Sequence, residues 1–237
     1  MRNLQKALWL LRKGHYRPLL RRVRRLAWSE SFAAGLEYDP RVPITARVPR
    51  APVHVRPIEP KDVPAFTSLP PAASSRVEAL TRASARNLLE SGLRTCYVGV
   101  TDDGPVYMQF LVTAAENERL AAVYEGLFPP LAEHEGLLEF AFTLQQYRAR
   151  PVMPAVLLRL VEIARERGLE RVVTYVRVDN PSLMRFFLRL SFAPFAIRVE
   201  RWRFFRRRVE FRPLEPSAAQ ELVGARDVEA FAAARLR

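Results

Sequence analysis

Six consecutive residues, Gln146-Tyr147-Arg148-Ala149-Arg150-Pro151, stand where an apolar stretch beginning at Glu139 gives way to a long helical pattern. Past Pro154, Val156, Leu157, Leu160, Val161 and Ala164 recur at helical spacing, and Arg159, Glu162, Arg165, Glu166 and Arg167 take the other face. Gly168 follows the last periodic residue, where a helix stop belongs. The first N–H groups of a helix have no internal partner, and the helix dipole favours negative charge there, so a strand-to-helix turn of this kind suits an anion. Arg148 and Arg150 add positive charge, and a phosphate is the ligand they fit. The same residues also fit an ordinary strand–helix crossover carrying two surface arginines.

Two carboxylates precede that turn. Glu139 is the acid within an otherwise apolar strand, in phase with Ala141 and Thr143, and Glu135 stands at the strand entrance. A carboxylate buried there is costly unless it pairs or meets a cation. Either residue also fits a solvated strand edge or a structural ion pair. After the helix, Val172–Val178 is β-branched and is bounded by Asp179-Asn180-Pro181, a turn signal. A second helical run ends at Leu190-Ser191-Phe192.

Taken together, these residues resemble the acyl-CoA-binding core of the GNAT superfamily, the CoA-dependent N-acyltransferases. That family's pyrophosphate loop reads Gln/Arg-x-x-Gly-x-Gly/Ala. Here Gln146 matches, Tyr147-Arg148 is a dipeptide often seen there, and Ala149 and Pro151 replace the small, flexible positions. A second family motif has Asn, an apolar residue at +3, Tyr at +7 and Gly-Phe at +11 and +12. In this chain Asn180 is followed by Leu183, Phe187, Ser191 and Phe192 in that register. The resemblance runs from about Val53 to about Phe211.

The resemblance implies acetyl-CoA, or another acyl-CoA, as cofactor and a small-molecule or peptide amine as acceptor. By position, Leu144 and Gln145 offer backbone groups to the pantetheine arm. Gln146, Arg148, Ala149, Arg150, Val152 and Met153 face the pyrophosphate. Asn180 contacts the cofactor or, on its plain reading, caps the following helix as an Asx turn. Amide formation needs a neutral amine, so a general base is required; Glu139 is the first candidate and Glu135 the second. The departures have chemical content. Pro151 lacks an N–H to offer a phosphate, and Phe187 stands where the family often has a tyrosine that protonates the thiolate. Two alternatives therefore stay open: a GNAT-fold protein that binds without catalysis, and an acyltransferase using a long acyl donor at a membrane, to which Leu183, Phe186 and Phe187 would suit.

The elements that position these residues are legible in outline. Val53–Ile58 alternates as a strand, Glu59–Phe66 resembles the family's first helix, and Ser74–Ser91 is a helix interrupted upstream by Pro70-Pro71. Thr95–Val100 and Val106–Val112 read as a hairpin through Asp102-Asp103-Gly104. Tyr107 and Gln109 share a face there, for packing or substrate contact. Residues 114–135 form an insertion with a short helix at Glu118–Tyr124, placed to edge an acceptor pocket or to form a surface loop. Phe195–Phe205 is the last strand or strand pair. The expected fold is a mixed α/β, mostly antiparallel GNAT-type sheet flanked by helices. Its divisions are a basic amphipathic helical extension over 1–38, a Pro-rich linker or arm over 39–52, the acyltransferase domain over 53–213 and a C-terminal helix over 214–237.

Composition bounds the rest. The 237 residues, nearly half of them hydrophobic, suffice for a sizeable core. One cysteine, Cys96, excludes an internal disulfide, suits buried packing and permits a cytoplasmic location. The three histidines are far apart in sequence, and neither a metal-ligand spacing nor a serine-nucleophile elbow is present. Net charge is +13, yet residues 1–29 hold nine of the 38 basic residues and no acid. Leu4, Leu8, Leu11, Leu19, Leu20 and Val23 give that stretch two amphipathic helices broken near Gly14–Pro18. It suits packing on the main domain, peripheral contact of residues 1–29 with an anionic membrane, or nucleic acid. Nucleic acid is the weakest of the three, since no recognised binding module accompanies the charge. A homodimer stays open.

Overall fold

The computed structural model describes residues 26–47, 49, 51–68 and 76–224. The amphipathic helices expected before residue 26, the Pro70-Pro71 break and the last part of the C-terminal helix lie outside the described residues.

Eight strands form one sheet: β1 Trp28–Tyr38, β2 His54–Pro57, β3 Cys96–Thr101, β4 Gly104–Thr113, β5 Glu135–Thr143, β6 Arg171–Arg177, β7 Ala193–Arg203 and β8 Arg206–Pro213. Their order is β2-β3-β4-β5-β6-β1-β7-β8. β5 and β6 run parallel, while the other neighbouring pairs are antiparallel. The helices are α1 Val63–Thr67, α2 Arg76–Glu90, α3 Asn117–Tyr124, α4 Val152–Glu166, α5 Pro181–Arg189 and α6 Pro216–Gly224. This is the mixed, mostly antiparallel sheet flanked by helices that the sequence led us to expect.

One boundary is corrected. Residues 28–38 do not continue a helical extension; they form β1, which lies between β6 and β7. The basic run stops at Arg25, and from Trp28 the sequence reads Trp-Ser-Glu-Ser-Phe-Ala-Ala-Gly-Leu-Glu-Tyr. Ala33, Ala34, Leu36 and Tyr38 are buried, as befits a strand covered on both faces. Gly35 is small of necessity: a Cβ there would lie 2.9 Å from the Phe195 ring and 3.0 Å from that of Tyr175.

The Pro-rich stretch that follows hugs the wall. Ile44, Ala46 and Ala51 pack against the core, and the Ala51 N–H donates to the Pro151 carbonyl at 3.2 Å. That arm explains why α4 buries more than its predicted stripe. Val156, Leu157, Leu160, Val161 and Ala164 are buried as expected, and so are Leu158 and Ile163; Pro43 and Ile44 face Leu158 and Val161 across a shallow cleft. The helix ends in a Schellman motif. Gly168 has φ +73, its N–H donates to Arg165 O at 3.0 Å, and the Leu169 N–H reaches back to Ala164 O at 3.0 Å. Cys96 is buried in β3, where burial pushes its thiol pKa up, so it packs as a small apolar residue.

The helix lies close on the sheet because β3 offers no side chain at Gly99, where a Cβ would come within 2.6 Å of Val156 Cγ2. Gly99→Ala should therefore overpack this contact and cost about 1–3 kcal/mol of stability in urea unfolding. Adding Val156→Ala to that variant should recover part of the loss.

Candidate functional site

β5 and β6 pair over three positions, Glu135↔Arg171, Gly136↔Val172 and Leu137↔Val173, and then part. At the fork the Thr174 hydroxyl donates to the Leu138 carbonyl at 3.0 Å, satisfying an acceptor that the sheet no longer serves. Beyond it β5 stays with β4, as far as Thr143↔Tyr107, and β6 stays with β1, as far as Arg177↔Ala33.

A bulge helps β5 turn away. Its register with β4 slips from Phe110↔Glu139 to Met108↔Phe142, three residues against two. Phe140, at φ +53, absorbs the extra residue. An aromatic residue in that conformation costs on the order of 1–3 kcal/mol and persists only where its surroundings dictate it.

Between the diverging strands lies a cavity of about 600 Å³. Glu139 lines it. The side chain is half-buried, open to the cavity and otherwise walled by protein. Burial pushes its pKa up to about 7, against the opposing pull of the Arg198 charge and of the nearby Phe140 N–H and Tyr124 hydroxyl. A carboxylate poised there can accept a proton near neutrality.

Several groups that sequence reasoning did not single out share this wall, Phe128, Tyr175 and Arg198, and Tyr124 packs against Phe128 with ring centroids 4.9 Å apart. Leu127 and Phe128 come from the insertion, which does edge the pocket. Tyr175 has its hydroxyl pKa pushed up to about 12 by burial. Tyr107 and Gln109 also line the cavity; both are buried, and the Tyr107 hydroxyl donates to Gln109 Oε1 at 2.7 Å. The available signal for Arg198 was a basic residue inside the run Phe195-Ala-Ile-Arg-Val, which also reads as strand alternation.

Glu135 is not brought to the cavity. It sits at the paired end of β5, where it bonds Arg171, and Arg171 also holds Glu37 at 2.6 Å. The Ala132 N–H donates to Glu135 at 2.9 Å as well. These partners make it part of a structural ion-pair cluster.

The anion turn follows β5 directly. Leu144 is buried, its N–H is spent on Val106 O and its carbonyl accepts the Tyr147 N–H, both at 2.9 Å. It therefore has no free N–H for a cofactor arm. Gln145–Tyr147 forms one 3₁₀ turn with Gln145 and Gln146 exposed. The Arg150 N–H turns inward to Tyr147 O at 3.0 Å and the Val152 N–H to Arg150 O at 2.8 Å. Pro151 and Pro154 have none to give. Among the N–H groups of residues 149–154, Ala149 and Met153 are the two that these turn bonds do not consume.

Two arginine side chains flank that sparse backbone. Both are exposed. Arg148 Nε donates weakly to Thr143 O at 3.4 Å, and the Arg150 guanidinium lies 4.9 Å from the Tyr147 ring centroid. Tyr147 is itself braced by its hydroxyl bond to Asp103 at 2.7 Å. On the opposite lip, Asn180 caps α5 by accepting the Leu183 N–H at 3.2 Å, so the Asx reading holds, while the residue also borders the cavity. Phe187 is buried against Phe192, ring centroids 4.9 Å apart, and walls the cavity without a hydroxyl. Met153 and Leu157 complete the α4 side.

A family model described as the acetyltransferase (GNAT) family matches residues 79–192. None of the curated proteins matches the sequence. Among solved structures, a Drosophila protein is similar at 13% identity and TM-score 0.45, covering 86% of this chain and 57% of that one. A conserved protein from Staphylococcus epidermidis is similar at 7% identity and TM-score 0.49, covering 78% and 66%. An acetyltransferase of the GNAT family from Colwellia psychrerythraea is similar at 10% identity and TM-score 0.47, covering 80% and 57%. The chain thus spans less than two thirds of the length of each of these proteins, and likeness at this level says nothing about what it acts on.

The raised pKa of Glu139 has a thermodynamic consequence. A carboxyl whose folded pKa lies at about 7 rather than 4.5 holds its proton in the folded state after the unfolded chain has released it. Stability relative to Glu139→Gln should therefore fall as pH rises from about 5 to about 8, by about 1–3 kcal/mol. Urea unfolding of the two proteins at both pH values measures this. Parallel pH dependence would show that Glu139 titrates normally.

Proposed function

Since residues 79–192 place the chain in the GNAT superfamily, we propose that it is an N-acyltransferase moving an acyl group, acetyl in the first instance, from acyl-CoA to a primary amine held in the cavity. The observation that carries this reading is the parting of β5 and β6, with Glu139 in the cleft and the mouth of α4, edged by Arg148 and Arg150, at its end.

The residues present fit coenzyme A. Two exposed guanidinium groups and the N–H groups of Ala149 and Met153 suit a diphosphate. Met153, Leu157 and Phe187 offer the cleft an apolar lining, and its volume is of the size usual for small-ligand sites. When bound, acyl-CoA supplies the acyl group as a thioester. Glu139 takes the proton of the acceptor ammonium, leaving a nitrogen lone pair free to form the amide bond as the carbon–sulfur bond breaks. The second proton that the nitrogen sheds as the amide forms passes to solvent, and since Phe187 carries no hydroxyl the departing sulfur takes its proton from solvent as well. Tyr124 lies near Glu139, and its hydroxyl favours the ionised form of the base.

Titration calorimetry with acetyl-CoA tests the cofactor. Arg148→Ala and Arg150→Ala should each weaken binding by about two- to five-fold, the modest scale of exposed charge contacts. Glu139→Gln should leave acetyl-CoA affinity unchanged and lower kcat/KM by about a hundred- to ten-thousand-fold. In the wild type, kcat/KM should rise through a pKa near 7, where Glu139 loses its proton. Absence of binding at near-millimolar acetyl-CoA favours the reading of a GNAT-fold protein that binds without catalysis.

A peripheral membrane position forms part of the same proposal, and the β7–β8 turn favours it. Phe204 and Phe205 both have positive φ, at +49 and +63, and are 79% and 59% exposed. Asn and Gly take such turn positions cheaply and phenylalanine does not. Trp28 is exposed beside them, and the Arg203 guanidinium stacks 3.9 Å from its ring centroid. Arg206 and Arg208 flank the tip, and the N–H groups of Phe204 and Phe205 bond Ala27 and Leu26, where the basic N-terminal stretch joins the sheet. Aromatic residues ringed by arginines suit an anionic lipid surface. No helix among the described residues is long and apolar enough to span a membrane, so contact is peripheral on this reading. The full chain should sediment with phosphatidylserine-containing vesicles and less with phosphatidylcholine alone. Phe204→Asn with Phe205→Gly should reduce that binding by about ten-fold or more, and unchanged sedimentation would exclude the tip.

A further inference from the structure

The wall of the cavity formed by β6 and β7 carries a charge that the proposed chemistry does not use. Arg198 is 9% exposed. Its guanidinium lies 5.1 Å from the Phe128 ring centroid and 5.2 Å from that of Tyr175. It donates one hydrogen bond, from Nη1 to Leu127 O at 3.3 Å, and no described carboxylate stands within ion-pair distance of it. An arginine has five N–H donors. Among the described residues no fully buried side-chain nitrogen or oxygen lacks a partner, so the remaining donors of Arg198 are open to the cavity that the residue lines.

A guanidinium this deep is expensive unless an anion completes it. Glu139 attracts it through space, but it forms no ion pair with Arg198, and burial pushes its own pKa up to about 7. The surroundings reinforce the sign of the wall. Arg198 pairs with Ala33, and Ala33 pairs with Arg177, so the two arginines stand on one sheet face on either side of a methyl group. Arg177 is held by Asp179 at 2.5 Å, which leaves Arg198 as the inner cation. Glu139 belongs to β5, on the other side of the fork.

We propose that the acceptor is an amine that also carries an anionic group, a carboxylate above all. Its ammonium meets Glu139, its carboxylate meets Arg198, and its apolar body lies against Phe128, Phe140 and Tyr175. The planar fork of arginine matches a carboxylate in two parallel hydrogen bonds. The inference rests on the acyltransferase reading and adds the acceptor class to it.

The test uses the full chain, acetyl-CoA and free-thiol release. Leucine and phenylalanine are compared with leucinamide and phenylalaninamide, and phosphoethanolamine with ethanolamine. The anionic member of each pair should be preferred by about ten- to hundred-fold in kcat/KM; the two sets distinguish a carboxylate from a phosphate. Arg198→Met, which keeps an apolar stem between the rings, should abolish the preference without moving acetyl-CoA affinity; its melting temperature checks the fold. Calorimetry with N-acetyl-leucine and N-acetyl-leucinamide, without CoA, reads the same contact independently of turnover. Selective binding of the carboxylate upholds the acceptor class even if acetyl-CoA does not bind, an outcome that sinks only the acyl-transfer reading. Equal or better use of the amides overturns the proposal. So does failure of every anionic probe to bind, or a loss of acetyl-CoA affinity in Arg198→Met.

Discussion

Parallel strands tend to zip along their whole length, because every unpaired backbone group in a sheet costs free energy. In this protein β5 and β6 stop after three pairs, and the rest of the molecule is arranged so that they can. β4 holds one strand and β1 holds the other, so neither loses its ladder on its outer side. Thr174 supplies a side-chain donor at the fork. The strained Phe140 bulge redirects β5. Each device has a local cost, and together they open a cleft inside a continuous sheet, where a carboxylate can be half-desolvated without being sealed.

The same economy shapes the anion turn. Helix mouths ordinarily hold phosphates with backbone N–H groups, but here two prolines and two inward-turned N–H groups leave few donors. On the proposed reading, the exposed guanidinium groups of Arg148 and Arg150 make up the difference. Side-chain charges in solvent are screened by salt far more than an enclosed backbone nest. Recognition at this mouth should thus be more sensitive to ionic strength than in a glycine-rich loop, and less exacting in geometry.

Much of this was legible in the residues. The α4 stripe, the Asp-Gly hairpin and the spacing of Asn180 with Phe192 each rest on local periodicity or turn chemistry, and local signals survive in sequence. Glu139 stood out because an acid in an apolar strand asks for a reason. Glu135, at the strand entrance, proved to be paired with Arg171, which comes from a strand remote in sequence and also holds Glu37. Arg198 and Tyr175 were hidden for the related reason that alternation in a strand does not reveal which face meets a cavity. β1 was misread because Ala33, Ala34 and Gly35 are small to fit between neighbours contributed from the far end of the chain. Periodicity cannot report a constraint imposed from that distance.

That placement of β1 has a consequence for how the chain is born. During synthesis β1 leaves the ribosome first among the described strands, yet both of its neighbours, β6 and β7, are encoded beyond residue 170. At ordinary elongation rates it waits on the order of ten seconds with both edges unpaired. Its serines, alanines and glycine, in place of a valine- and isoleucine-rich run, make it a poor template for stray pairing during that interval. Closing the sheet around it is then a late, non-local event, the kind that slows folding most.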